Sequence, residues 1–173
     1  MKILIDARFY GLENAGIGRY TMNLVSELAK IDTKNQYIIF LRKKYLDINL
    51  PKNWEKVLLD VKHYSLREQI ELPKIIKKYN PDLTHFLHFN VPLGFNGKFI
   101  VTIHDMIMHS QKTESSNLAL PLYFLKHFAY KRVFKHAVLR SQKIIVPSEF
   151  VKDQLVDFFK IPKEKVVVTY EGN

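Results

Sequence analysis

The chain has no cysteine among its 173 residues. Disulfides and thiolate metal sites are therefore excluded, and a reducing compartment is the expected setting. The opening residues, MKILIDARFY, lack the pattern of a secretory signal, which points the same way, to the cytoplasm. Long apolar runs are missing as well. Lys, Arg or His interrupts each one before the roughly 18 to 20 residues that a membrane-spanning helix needs, so no transmembrane segment is expected. Acidic residues are in short supply, 17 against 27 Lys and Arg, for a formal charge of +10. That excess calls for an anionic partner: nucleic acid, a phosphorylated ligand or an anionic membrane surface. The basic residues occur in scattered pairs such as Lys43-Lys44, Lys77-Lys78 and Lys131-Arg132, with no dense block or base-reading motif, so nucleic acid is set aside. No repeat, low-complexity tract or polar linker divides the chain, and 47% hydrophobic content fits one domain with a sizeable core.

What is present is an alternation of apolar strands and amphipathic helices. KILID (2–6) and QYIIFL (36–41) read as buried strands. Between them Ile17, Tyr20, Thr21, Leu24, Val25, Leu28 and Ile31 recur at the spacing of one helix face, which makes residues 1–41 a βαβ unit. Further strands are expected at 57–61, 83–87, 98–104, 143–147 and 165–170. Helices are expected at 65–79, started or kinked by Pro73, at 118–140, and at 149–159 with Ser148 as N-cap. Several strands are apolar without alternation, as strands covered on both faces are. The predicted fold is α/β, a doubly wound, mostly parallel, Rossmann-like sheet. Long loops are expected at 88–97 and 105–117. Ligands of such sheets bind beyond the carboxyl ends of the strands, so the segments to watch follow Ile5, Leu87, Ile103 and Val146.

Gly16 and Gly18 of AGIGRY fall between the first strand and the first helix. The third glycine of a dinucleotide fingerprint is absent, and LRKKY stands where the acidic residue at the end of the second strand belongs, so NAD binding is disfavoured. The pair is either a turn chosen for its backbone angles or a place where bare amides at a helix start approach an anion, with Arg19 adding charge. In TIHDM, His104 and Asp105 lie at the carboxyl end of a strand. A histidine there exchanges a proton or holds a hydroxyl, with Asp105 orienting a partner; the alternative is a hydrogen-bonded structural pair. His85, His88 and His104 suggest a metal, but their spacing matches no ligand motif and no metal site is expected. No serine sits in a nucleophile elbow. The helix at 120–140 mixes Leu122, Tyr123, Phe124, Leu125, Phe128, Phe134 and Val138 with five basic residues, and reads as a core helix with a solvated basic edge or as an interfacial membrane helix.

In order along the chain, IDAR, GIGRYTMNLVSEL, HFLHFNVPL, VTIHDM and KIIVPSEFVKDQLVDFFKIPKEKVVVTYEGN resemble the N-terminal half of family 4, GT-B type glycosyltransferases. The likeness is nearest to mannosyltransferase-like members that attach sugars to lipopolysaccharide or other surface polysaccharides. The resemblance implies an acceptor-binding half facing a second half that binds most of a nucleotide-diphosphate sugar. That sugar is a co-substrate, with neither metal nor separate cofactor, and transfer proceeds with retention. On the same ground Gly16, Ile17 and Gly18, with Arg19 beside them, meet the donor diphosphate. His104 lies near the transferred sugar with Asp105 as support, and His88, Asn90 and Ser148 belong to the acceptor cleft. The chain stops at YEGN, where the family's hinge leads into the donor domain, so that domain is expected as a partner and the acceptor as a glycan or a lipid-linked glycan. The setting implied is cytoplasmic, or peripheral on an anionic membrane. The alternative is a catalytically silent module that binds an acceptor or a membrane.

Overall fold

The computed structural model describes residues 1–106 and 120–170, the side chains of 120–123 excepted. Among these residues seven strands, β1 (Lys2–Asp6), β2 (Gln36–Leu41), β3 (Trp54–Leu58), β4 (Leu83–Phe86), β5 (Phe99–Thr102), β6 (Lys143–Val146) and β7 (Val166–Val168), form one sheet in the order β3-β2-β1-β4-β5-β6-β7. Every pairing is parallel. The helices are α1 (Ala15–Ile31), α2 (Leu66–Tyr79), α3 (Leu120–Arg140) and α4 (Glu149–Phe159). The α/β doubly wound fold expected from the sequence is thus the fold observed.

Alternate residues of the strands feed two cores. Leu4, Ile38, Phe40, Phe86, Phe99, Val101, Ile144, Val146 and Val166 meet Leu72 and Ile76 of α2, Phe134 and Val138 of α3, and Val151 and Leu155 of α4. On the other face Ile5, Tyr37, Ile39, Leu41 and Leu87 meet Val25 of α1. The chain progresses from β1 outward through β2 to β3, then returns to the far side of β1 as β4. The order reverses between β1 and β4, and the carboxyl ends of these two strands flank the crevice that such a reversal opens.

Several boundaries differ from those expected. β3 begins at Trp54 instead of residue 57 because the indole stacks on Tyr37 of β2, ring centres 4.2 Å apart. Residues beyond Leu58 leave the sheet, and this takes the Val61 carbonyl to the end of β1, where Arg8 bonds it. β5 ends at Thr102; the Ile103 amide still donates to the Ile145 carbonyl and its side chain packs in the core, and His104 is the first residue beyond it that reaches the crevice. Pro73 neither starts nor ends α2: the helix runs through it to Tyr79, with Leu72 and Ile76 on either side buried in the core. Ile31, expected on the buried face of α1, is 75% exposed, since the last turn projects past the sheet. In α3 Phe134 and Val138 are core, whereas Phe124, Leu125 and Phe128 are exposed. The expected loop from 107 on, the helix start at 118 and 119, the side chains of Leu122 and Tyr123, and the last three residues of YEGN lie outside the described residues.

Candidate functional site

β1 ends on Asp6, and the chain turns so that Arg8 folds back against it in the interior. The Arg8 guanidinium donates from Nε to Asp6 Oδ1 (2.7 Å), from Nη2 to Asp6 Oδ2 (2.6 Å) and to Glu68 Oε1 (2.7 Å), and from Nη1 to the Val61 carbonyl (3.0 Å). Glu68, on the first turn of α2, accepts at its other oxygen from the Tyr64 amide (2.7 Å) and from Asn90 Nδ2 (2.6 Å). One arginine and two carboxylates thereby join β1, the segment after β3, α2 and the segment after β4. Burial by itself would raise the carboxyl pKa values. For Asp6 the Arg8 charge and hydrogen bond outweigh it, with a smaller contribution from His63. For Glu68 the neighbouring His63 and Arg8 do the same, and both carboxyls end below their usual range.

Aromatic rings cover this ion cluster. Phe9 stacks on His63 with centres 3.8 Å apart, and His88 lies 5.2 Å from Phe9 and 4.1 Å from Phe89. His63 is buried with no hydrogen bond at either ring nitrogen; its Nδ1 stands 3.4 Å from Glu68 Oε1. Burial first, then the charges of His104 and His63, push His88 down to about 3. A cavity of about 10 Å³ remains between Asp6, Arg8, His63, His88 and Asn90, room for one water. Beside it, His104 Nε2 donates to the Leu87 carbonyl (3.1 Å), and the Tyr20 ring of α1 meets the imidazole edge-on at 4.9 Å. The Tyr20 hydroxyl is 3.2 Å from Thr102 Oγ1, which is also 2.9 Å from His85 Nε2. His85 is pushed down to about 4 by burial.

The residues expected at the site are distributed as follows. Gly16, Ile17 and Gly18 are not the turn before α1 but lie in its first turn, after Ala15. The turn lies earlier: Gly11 takes φ +122° and Ala15 takes φ +50°, a backbone region that an L side chain disfavours. Gly18 is buried because the chain doubles back on it; a Cβ there would lie 1.9 Å from the Gly11 carbonyl oxygen, while one on Gly16 would meet nothing. Asn14 places no side chain on the helix start, and the first turn of α1 holds no acid. By contrast α2 is capped by Ser65 with Glu68 in its first turn, and α4 by Ser148 with Glu149. Tyr20, one turn on from Gly16, joins this amino end to His104. Arg19 is exposed, as is Asp105. His88 reaches the crevice. Asn90 is buried, its Nδ2 donating to Glu68, and it lines the same small cavity as His88. Ser148 accepts from the Val151 amide (3.3 Å) at the end of β6, farther along the sheet. His85 and His88 stand apart, one beneath the sheet and one above its carboxyl edge. Among the described residues no group of three or more acidic or histidine side chains is placed to hold a metal. None of the described helices is long and apolar enough to cross a membrane.

Sequence reasoning missed Asp6, Arg8, His63, Tyr64 and Glu68. A signal for three of them was present. Ser65 and Glu68 spell the S-x-x-E of a capping box, and Asp-x-Arg closes an otherwise apolar strand. Nothing local said that the carboxylate of one would meet the guanidinium of the other, sixty residues away.

Residues 14–172 match the family Glycosyltransferase Family 4. No curated protein matches the chain. Among solved structures the wall teichoic acid polymerase TagF superposes with a TM-score of 0.57 at 16% identity, over 96% of this chain and 37% of the polymerase. A glycosyltransferase from Rickettsia africae matches more loosely, with a TM-score of 0.47 at 21% identity, over 99% of this chain and 43% of that one. The chain therefore spans under half the length of either protein, and at 16% identity the likeness to the polymerase speaks for the fold alone. The family match covers nearly the whole chain: the chain belongs to glycosyltransferase family 4.

Proposed function

We propose that this chain is the acceptor-side, N-terminal half of a GT-B enzyme that transfers a hexosyl unit, mannose foremost, from a nucleotide-diphosphate sugar to a glycan or lipid-linked acceptor. The anomeric configuration is retained, and the product belongs to lipopolysaccharide or another surface polysaccharide made at the cytoplasmic side. The observation that carries the reading is the amino end of α1. Gly16, Ile17 and Gly18 follow Ala15 in its first turn, no side chain caps that turn and no acid stands in it; Gly16 is exposed, whereas Gly18 is buried. Amides at the positive end of a helix dipole suit an oxyanion, and the bare backbone of Gly16 lets a diphosphate come close.

In the reaction the acceptor oxygen forms a bond to the anomeric carbon while the bond from that carbon to the diphosphate oxygen breaks. The acceptor proton passes to the departing phosphate. Negative charge grows on the leaving group, and the α1 amides stabilise it as it grows, with the donor-binding partner domain supplying the remaining contacts. His104, fixed by the Leu87 carbonyl and the Tyr20 ring, orients the sugar; Asp105 supports it, and His88 and Ser148 line the acceptor side. Replacing His104 by Ala in the two-domain enzyme is expected to lower turnover about a hundredfold, the cost of a small misplacement of reactants. Transfer of radiolabelled sugar from the nucleotide measures it, and unchanged turnover removes the role. A catalytically silent module resting on an anionic membrane is the reading left if no nucleotide sugar supports transfer. The exposed Phe124, Leu125 and Phe128, beside Lys126 and Arg132, are the observation that favours it.

A further inference from the structure

Tyr64 combines three properties that rarely coincide. Its backbone is left-handed, with φ +59°. Its side chain is large yet 62% exposed, so the conformation is not offset by burial of the ring. And it stands beside the reversal point, its ring centre 6.0 Å from His88 and 6.4 Å from Phe89. A bulky residue is rarely held in this region, and glycine or asparagine would sit there more easily. The surroundings are built to hold the strain. The Tyr64 amide donates to the buried Glu68 carboxylate (2.7 Å), and Ser65 Oγ, on the next residue, donates to the Lys62 carbonyl (2.7 Å).

We infer that Tyr64 is an acceptor-contact residue whose exposed ring carries a pyranose ring of the acceptor, with Glu68 as the positioning residue that fixes it. The inference rests on the glycosyltransferase reading and specifies its acceptor side. The negative face of a phenol ring suits the face of a pyranose formed by C–H bonds that neighbouring oxygens polarise. The ring has His88, Phe89 and His63 beside it, with centres 6.0, 6.4 and 6.3 Å away, and remains 62% exposed. Its hydroxyl stands 3.4 Å from His88 Nδ1 and, as a phenol, keeps its proton past neutral pH. A hydroxyl and an imidazole at the edge of an aromatic face are what a sugar's own hydroxyls require. The ligand must rest on this surface, because the cavity below holds no more than one water.

Saturation-transfer NMR on the two-domain enzyme, with octyl glycosides of glucose, galactose and mannose below their micellar concentrations, tests the assignment. Saturation is expected to reach the pyranose protons of at least one glycoside. Tyr64→Phe should retain the transfer, and Tyr64→Ala should lose roughly fivefold, the worth of an ordinary aromatic stacking contact. Tyr64→Gly, which relieves the backbone strain and so does not fold less well on that account, should lose as much. The assignment is overturned if no glycoside is saturated, if the alanine and glycine variants match the parent, or if saturation reaches the octyl chain and not the ring, which marks a lipid-binding surface. Failure of the enzyme to transfer sugar while these shifts hold would sink the transferase reading alone. Normal transfer with an unchanged acceptor KM in Tyr64→Gly would sink the Tyr64 assignment alone.

Discussion

At the scale of single residues, the two glycines of AGIGRY have different reasons for being glycine. Gly18 is required by a close approach: its Cα faces the Gly11 carbonyl, and a methyl group would overlap that oxygen. Gly16 has open space where a side chain would go, and its helical backbone gains nothing from lacking one. Gly18→Ala is therefore expected to destabilise by at least about 1–3 kcal/mol, the range for overpacking a tight site. Gly16→Ala is expected to stabilise by up to about 1 kcal/mol, because alanine is the better helix former. If the Gly16 amide meets a diphosphate, the more stable Gly16→Ala enzyme also transfers sugar more slowly, an opposition that urea denaturation and turnover together would display. The sequence marked both glycines as special but not the distinction between them. That distinction depends on Gly11, whose return to α1 is a matter of the whole turn.

At the scale of elements, α2 does more than cover the sheet. Through Glu68 it ties the ends of β1 and β4 to its own first turn, the carboxylate accepting from Arg8, from the Tyr64 amide and from Asn90. Glu68→Gln leaves the shape and removes the charge. It is expected to cost roughly 3 kcal/mol, because a buried guanidinium loses one of its two counterions. A loss under about 1 kcal/mol in urea unfolding would mean that Asp6 alone satisfies Arg8. The helices themselves were legible: α2 and α4 start at the serines that mark them, and hydrophobic spacing located α1 to within two residues. Strand limits were less so. β3 slid three residues toward the amino end because a cross-strand stack between Trp54 and Tyr37 outweighs the apolar run at 57–61, and no window of sequence contains both rings.

For the molecule as a whole, the buried histidines His85 and His88 and the buried carboxylates Asp6 and Glu68 pull stability in the same direction with pH. His85 and His88 carry folded-state pKa values of about 4 and about 3 against an ordinary 6.5, so the unfolded chain binds their protons first as pH falls. Their contribution is full above 6.5 and is lost progressively toward 4 and 3. Asp6 and Glu68, lowered from 3.8 and 4.5, add a second loss below those values with the same sign. The melting temperature is expected to be level above neutrality and to decline from about pH 6.5 downward, with His85 accounting for roughly 3 kcal/mol at most. His85→Gln should flatten the upper part of the decline; an unaltered slope between pH 6.5 and 4 would show that the ring is not held neutral. Alternation of strands and helices disclosed the class of this sheet, and the apolar runs disclosed that it is parallel. The strand order, and with it the reversal point, was not open to sequence reasoning, since nothing in β4 says which edge of β1 it will join.

That order also has a temporal side. During synthesis β1 can pair with β2 as soon as residue 41 has emerged, yet its other edge stays bare until β4 follows at Leu83–Phe86. Asn90, the last group to reach Glu68, emerges later still. For roughly half of the chain's growth, therefore, the Arg8 guanidinium and the Asp6 carboxylate wait beside an unpaired strand edge, the kind of edge that invites mispairing, and Glu68 joins them only once residue 68 has emerged. The contacts that shape the crevice close together, in one late and long-range step, and a nascent chain halted before residue 90 lacks the crevice altogether.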